Sequence, residues 1–180
     1  FQEDGWKAML STNIIGNYNI FEASREAGVK RVIFGSSSSV TAHHEGDKPH
    51  KAIIEGRYDD VPDNRERITH TSPVRPNSIY GCSKIWGEAL GRYYSETFGM
   101  SVICARFSFV TKDDRPDTPR RFANWCSQRD AAQMVERCLQ APSDLTFDTF
   151  YATSNNRWGY RDISHARDVL GYDPQDSAED

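Results

Sequence analysis

The chain has 180 residues, 37% of them hydrophobic and 27% charged, with a formal net charge of −4. That length supports one domain with a real core and is short for two; the acidic balance leaves no basic footprint for nucleic acid. No apolar run approaches the roughly 20 residues of a membrane helix and no leader pattern opens the sequence; scattered cysteines that read as reduced make a cytoplasmic location the default expectation.

In chain order, residues 6–27 carry Met9, Leu10, Ile14, Ile20, Phe21 and Ala27 at helical spacing, with Gly28 as a stop. Arg31–Phe34 then reads as a short buried strand running into the serines Ser36–Ser39. Residues 41–78 are polar, proline-punctuated and aperiodic, and hold four of the five histidines; so long a stretch predicts a functional loop or an insertion. Helical spacing returns from Tyr80 to Phe98 with Gly99 as its stop, and Ser101–Phe107 follows as a second apolar strand. After the basic loop TKDDRPDTPRR, Ser127 is placed to cap a helix from Gln128 to Ala141, with Asp130 in the first turn to suit the helix dipole. LTFDTFYATS is a third strand and RDISHARDVLGY a last short helix, stopped by Gly171.

Alternation of helix and strand predicts an α/β fold with a parallel sheet and crossover helices. Ligands bind such sheets at the carboxyl ends of the strands. Those ends lead here into SSSS, SFVTKDDRP and TSNNRW, all rich in hydrogen-bonding groups. Cys82, Cys104, Cys126 and Cys138 include no CxxC pair and read as reduced structural thiols. His43, His44 and His50 have no metal-ligand spacing, and no metal is expected.

The stretch SIYGCSK places Tyr80 and Lys84 four residues apart, on one helical face. A phenol with an ordinary pKa of about 10 is a poor base at neutral pH. A neighbouring ammonium favours the phenolate, so the pair makes sense as a general base that takes a hydroxyl proton. A serine from the 36–39 cluster supplies a hydrogen bond to the substrate oxygen, and Asn13 is a candidate for ordering a water behind the lysine. Each piece alone is ordinary: such a pair recurs by chance, a serine run is often a turn, and an Asn is often a cap. Their joint order is the signal.

NIIGNYNIFEA, VKRVIFGSSSSV, PVRPNSIYGCSKIWGE and VICARFSFV, in that order, resemble the extended short-chain dehydrogenase/reductases, the NAD-dependent epimerase/dehydratase family. The resemblance covers nearly the whole chain. It implies a Rossmann-like doubly wound parallel sheet, of which this chain holds the C-terminal part with the first βαβ units missing. The expected organisation is one partial NAD(P)-binding domain over 1–180, a polar insertion or lid at 41–78, and substrate-binding elements at 108–127 and 153–180. The family's catalytic set falls on Tyr80, Lys84, Ser37 and Asn13. Ser37 is the best match for the catalytic Ser/Thr, with Ser36 or Ser38 one residue away. Cofactor contacts are implied for Tyr80, Lys84, Ser36, Phe107 and Ser108, and substrate contacts for Ser37, Ser38 and Tyr80. ANWCSQRDAAQMVERCL and GYDPQD are most similar to uronate dehydrogenases and archaeal-type sugar dehydrogenases. In that subgroup an arginine before the Trp-x-Ser stretch binds an acidic substrate; its counterpart is Arg120, whose fork suits a carboxylate or phosphate. A solvated basic loop paired with Asp113, Asp114 and Asp117 is the competing reading.

The sequence departs from the family in several places. No glycine-rich dinucleotide fingerprint occurs, and the chain begins on Phe1 in a helical pattern, which reads as the interior of something longer. NAD is the expected cofactor, with NADP open because the deciding acidic residue is lost with the fingerprint. The subgroup has Asn where Ser38 stands, and the Ser37–Tyr80 spacing is longer than usual. The expected activity is oxidation of a hydroxyl of a sugar, sugar acid or sugar phosphate. Alternatives are a nucleotide-sugar epimerase or a non-catalytic nucleotide-binding module; serines rather than acidic residues after Ser37 disfavour dehydration. A homodimer is expected through the tyrosine helix, with Trp86, Leu90, Tyr93 and Tyr94 as candidate contacts.

Overall fold

A computed structural model of the chain describes residues 3–180; Phe1 lies outside them. The first helical pattern forms α1 (Glu3–Met9), a π-helical stretch (Leu10–Gly16) and α2 (Asn17–Glu26). Met9, Gly16 and Asn17 all keep right-handed helical dihedrals, so the three segments run on without a break.

Strand β1 spans Arg31–Ser37, three residues beyond the apolar run. The serines stay in the ladder because their backbones pair with Arg106 and Phe107, and because the buried Ser36 hydroxyl finds a carboxylate partner. A 3-10 segment (Ser38–Gly46), α3 (His50–Ile54) and a 3-10 turn (Tyr58–Asp60) follow. Each is shorter than the window over which periodicity can be read. Their apolar residues are buried nonetheless: Ile53 and Ile68 join Ala123, Tyr151, Tyr160 and Ile163 in one cluster.

Helix α4 (Ile79–Phe98) starts at its Ser78 cap, whose Oγ accepts from Gly81 N at 3.2 Å, and stops at Gly99 with φ 70°. Strand β2 is Ser101–Phe107. Within the stretch read as loop, Thr118 caps a short α5 (Pro119–Asn124), with proline at its start where no N–H is needed. Helix α6 (Gln128–Gln140) begins at Ser127 as expected, β3 is Phe147–Ala152, and α7 is Ser164–Leu170 with Gly171 in the left-handed region.

The three strands are parallel in the order β1-β2-β3. Alternation along β2 divides the core: Val102 and Cys104 pack with Phe21, Leu90 and Tyr94 from α2 and α4, whereas Ile103 and Ala105 pack with Met134, Cys138 and Leu170 from α6 and α7. Helices thus cover both faces, the doubly wound arrangement. Both crossovers step the same way across the sheet but lay α4 and α6 on opposite faces, so they are of opposite hand; the right-handed form is the common one.

Connections at the two ends of the strands differ sharply. Short turns lead into the strands, such as Gly99–Met100 before β2, whereas the segments that leave them, 38–78, 108–127 and 153–163, are long and polar. Arg31 ties the short-turn end together, donating to Ala141 O at 2.7 Å and Pro142 O at 2.6 Å just beyond α6. All four cysteines are free thiols. Of the four residues named for a dimer, Leu90 and Tyr94 are buried in the core and Trp86 and Tyr93 are exposed.

Candidate active site

At the carboxyl ends of β1 and β2 a cleft of about 250 Å³ is lined by Ser36–Ser39, Tyr80 and the Phe107–Val110 turn. Two features bring Tyr80 there. Its helix starts one residue earlier, and Gly81 lets the first turn lie on the serine segment: a Cβ at Gly81 would stand 2.7 Å from Ser39 O and 2.9 Å from Pro76 Cβ. Tyr80 remains 39% exposed, so its ring is open to a ligand.

Lys84, one turn on, donates from Nζ to Gly35 O at 2.7 Å. Its ammonium lies 5.6 Å from the Tyr80 ring centroid and 5.3 Å from that of Phe34. Burial pushes its pKa below the ordinary lysine value. Ser37 Oγ accepts from Ser39 N at 3.1 Å and meets Ser39 Oγ at 3.1 Å, so it caps the 3-10 segment at the cleft edge. Ser38 turns its carbonyl inward, where it accepts from Arg161 Nη2 at 3.1 Å.

Asn13 lies in the π-helical stretch and reaches α4 through Ser83 rather than Lys84. Its Nδ2 donates to Ser83 Oγ at 2.9 Å, and Ser83 Oγ donates to Tyr80 O at 2.8 Å. Ser36 points to the opposite face of the sheet from Ser37, toward α4, and donates to Glu88 Oε1 at 2.7 Å. Phe107 pairs with Ser37 on one side and Ala152 on the other. Ser108 lines the cleft, and its buried Oγ has no hydrogen-bond partner among the described residues.

Arg120 is on α5, its guanidinium 4.9 Å from the Phe109 ring, which also lines the cleft. Its Nε donates to Glu45 Oε2 at 2.6 Å, not to Asp113, Asp114 or Asp117. Glu45 also accepts from the buried Arg161 at 3.1 Å. Burial alone would raise the Glu45 pKa, but Arg161 and Arg120 reverse that and hold it below the usual carboxylate range. The structure therefore brings Tyr80, Ser36, Ser37, Ser38, Phe107 and Ser108 to one cleft, sets Lys84 beside the Tyr80 ring, and places Asn13 and Arg120 farther out with protein partners.

Sequence reasoning missed Ser83, Glu45, Glu88, Arg106 and Arg161. Two of these had a local signal: Arg106 interrupts the apolar VICARF strand, and Glu88 follows Lys84 at helical spacing. Glu45 and Arg161 had none, being paired across more than a hundred residues.

Residues 3–170 match the model of the NAD dependent epimerase/dehydratase family. The chain belongs to this family. Among its relatives, the NAD-dependent glucose-6-phosphate dehydrogenase of Haloferax volcanii is 35% identical over 179 residues, covering 98% of this chain and 64% of its own length. The uronate dehydrogenase of Pseudomonas putida is 32% identical, over 98% of this chain and 58% of its own. Among solved structures, uronate dehydrogenase from Agrobacterium tumefaciens superposes with a TM-score of 0.78 at 32% identity, covering 97% of this chain and 57% of that one. This family member thus spans about three fifths of the length of the relatives it matches.

Proposed function

We propose that the protein is an NAD-dependent dehydrogenase that oxidises a hydroxyl of a sugar, sugar acid or sugar phosphate. The observation that carries this reading is the meeting of Tyr80 with the Ser37–Ser39 segment in one cleft, with the Lys84 ammonium beside the Tyr80 ring. In the reaction, Ser37 hydrogen-bonds the substrate oxygen and Tyr80 takes its proton. Lys84 supplies the positive charge that favours the phenolate, held at the ring by Gly35 O. Asn13 fixes the start of α4 through Ser83. A bound nicotinamide supplies the acceptor for the hydride that leaves the same carbon.

The residues present fit such a cofactor: Ser108 brings an unpartnered buried hydroxyl to the cleft, beside Phe107 and the Ser36 backbone, and the Lys84 ammonium keeps donors beyond the one given to Gly35. Arg120 is assigned to a substrate carboxylate or phosphate, since Glu45 engages only its Nε. The names of the relatives, a sugar-phosphate and a uronate dehydrogenase, support that class. Segment 41–78 continues the 3-10 segment whose first residues, Ser38 and Ser39, line the cleft, and is assigned as its cover; 108–127 and 153–180 are assigned to the substrate side. A homodimer through the exposed Trp86 and Tyr93, and a cytoplasmic location, complete the proposal; no helix among the described residues is long and apolar enough to cross a membrane.

The test is Tyr80→Phe in the full-length protein, screened with uronic acids, aldoses and sugar phosphates against NAD and NADP. The parent is expected to accumulate reduced cofactor with one substrate class, and the variant to lose at least about 100-fold in kcat. Turnover retained in the variant would remove Tyr80 from its role. Product without net reduced cofactor would mean an epimerase.

A further inference from the structure

Behind the cleft lies a buried polar link that the acid–base reading leaves unused. Arg106 on β2 clasps Glu88 on α4 in a two-point pair, Nε to Oε1 and Nη2 to Oε2, both at 2.8 Å. Both side chains are buried. Burial pulls the Arg106 pKa down, but the hydrogen bonds and charge of Glu88 outweigh this and the net shift is upward. Glu88 stands one turn beyond Lys84, on the same face of the helix. Its Oε1 also accepts the Ser36 hydroxyl at 2.7 Å. Ser36 follows Gly35, whose carbonyl accepts Lys84 Nζ at 2.7 Å.

These contacts close a ring: from Lys84 to the Gly35 carbonyl, along one peptide to Ser36, across to Glu88, and back through one helical turn. Arg106 anchors it from the neighbouring strand and also reaches the His70 carbonyl at 3.4 Å, in the segment that leads to α4. A buried ion pair gains little net stability over apolar side chains of the same volume. Its directional hydrogen bonds do fix atoms, and an acid–base pair is sensitive to placement: a 1 Å error costs about 100-fold in rate.

We propose that Glu88 and Arg106 are positioning residues that, through Ser36, fix the Gly35 carbonyl and so hold the Lys84 ammonium at Tyr80. The proposal rests on the reading of Tyr80 and Lys84 as the acid–base pair. The groups facing Lys84 are the Gly35 carbonyl and the Tyr80 and Phe34 rings; the ring of contacts supplies its charges from Glu88 and Arg106 one layer behind.

The test compares Ser36→Ala and Glu88→Gln with the full-length parent. Ser36→Ala removes one hydroxyl and leaves the ion pair, so it keeps the question open to measurement even if Glu88→Gln fails to fold. Three readouts are needed: the melting temperature, the pH profile of kcat/KM, and titration of the Lys84 ammonium by nitrogen-15 NMR. Ser36→Ala is expected to melt close to the parent while kcat falls about 10- to 100-fold. The acid limb of its profile moves to higher pH, because a displaced ammonium favours the phenolate less. Lys84, freed from its buried seat, titrates at higher pH than in the parent. Variants that change melting temperature alone, with the pH profile and the Lys84 titration as in the parent, would overturn the proposal. Failure of the underlying reading is separate, since it appears as turnover retained in Tyr80→Phe.

Discussion

At Glu22 two donors converge on one carboxylate: Arg25 from the same helix and Tyr94 Oη, at 2.7 Å, from α4. These hydrogen bonds, Arg25 first and Tyr94 second, lower its pKa from 4.5 to about 2. A depressed carboxylate stabilises the fold fully above its unfolded pKa, and the contribution fades as pH falls through the folded value. The window is therefore between about 4.5 and about 2. In thermal unfolding, Glu22→Gln is expected to melt below the parent at pH 6, with the gap narrowing as pH approaches 2. A gap that stays constant would show that the charge is not the source. The residue scale is also where the sequence was most informative about chemistry. Tyr80 and Lys84 stand on one helix, so local spacing revealed their shared face. Ser36 and Ser37 were indistinguishable in the sequence, because only the pleat of β1 decides that one meets Glu88 and the other the cleft.

Among the elements, α4 meets the sheet tightly at its glycines, Gly87 against Phe34 and Gly91 against Val102. A Cβ at Gly87 would collide with the Phe34 ring, the same ring that carries the Lys84 ammonium on its face. Gly87→Ala is expected to force the helix outward and destabilise the protein by about 1–3 kcal/mol, read by urea denaturation. Since Lys84 stands three residues before Gly87, kcat should fall as well, and substrate KM should change less. Long elements such as α4 and α6 were legible, with Gly99 and Ser127 at their ends, because many turns repeat one pattern. Segments of one or two turns, α3 and α5 among them, carry too few residues to show a period. The last residues of β1 were hidden for another reason: hydroxyl side chains are paired in the interior there, where sequence patterns look for apolar ones.

For the whole molecule, the Glu45–Arg161 pair joins segments that no local pattern connects. Arg161, buried, also donates to Ser38 O and to Asn124 on α5, so one guanidinium links the serine segment, α5 and the stretch before α7. Removing the carboxylate leaves that charge buried and uncompensated, and Glu45→Ala is expected to cost about 3–5 kcal/mol in denaturant unfolding. A double variant, Glu45→Ala with Arg161→Met, should recover much of the loss. Parallel strands with crossover helices could be read from the alternation of elements, whereas this pairing depends on which distant loops meet above the strands. The unequal ends of the sheet have a practical consequence. All the polar, long segments leave from one end, and the other has only tight turns such as Gly99–Met100. Strands of six or seven residues separate the two by about 20 Å. Fluorophores, affinity handles or surface tethers attached at those turns would stand a full strand length from the cleft, which makes that end the natural place to instrument the molecule without touching its chemistry.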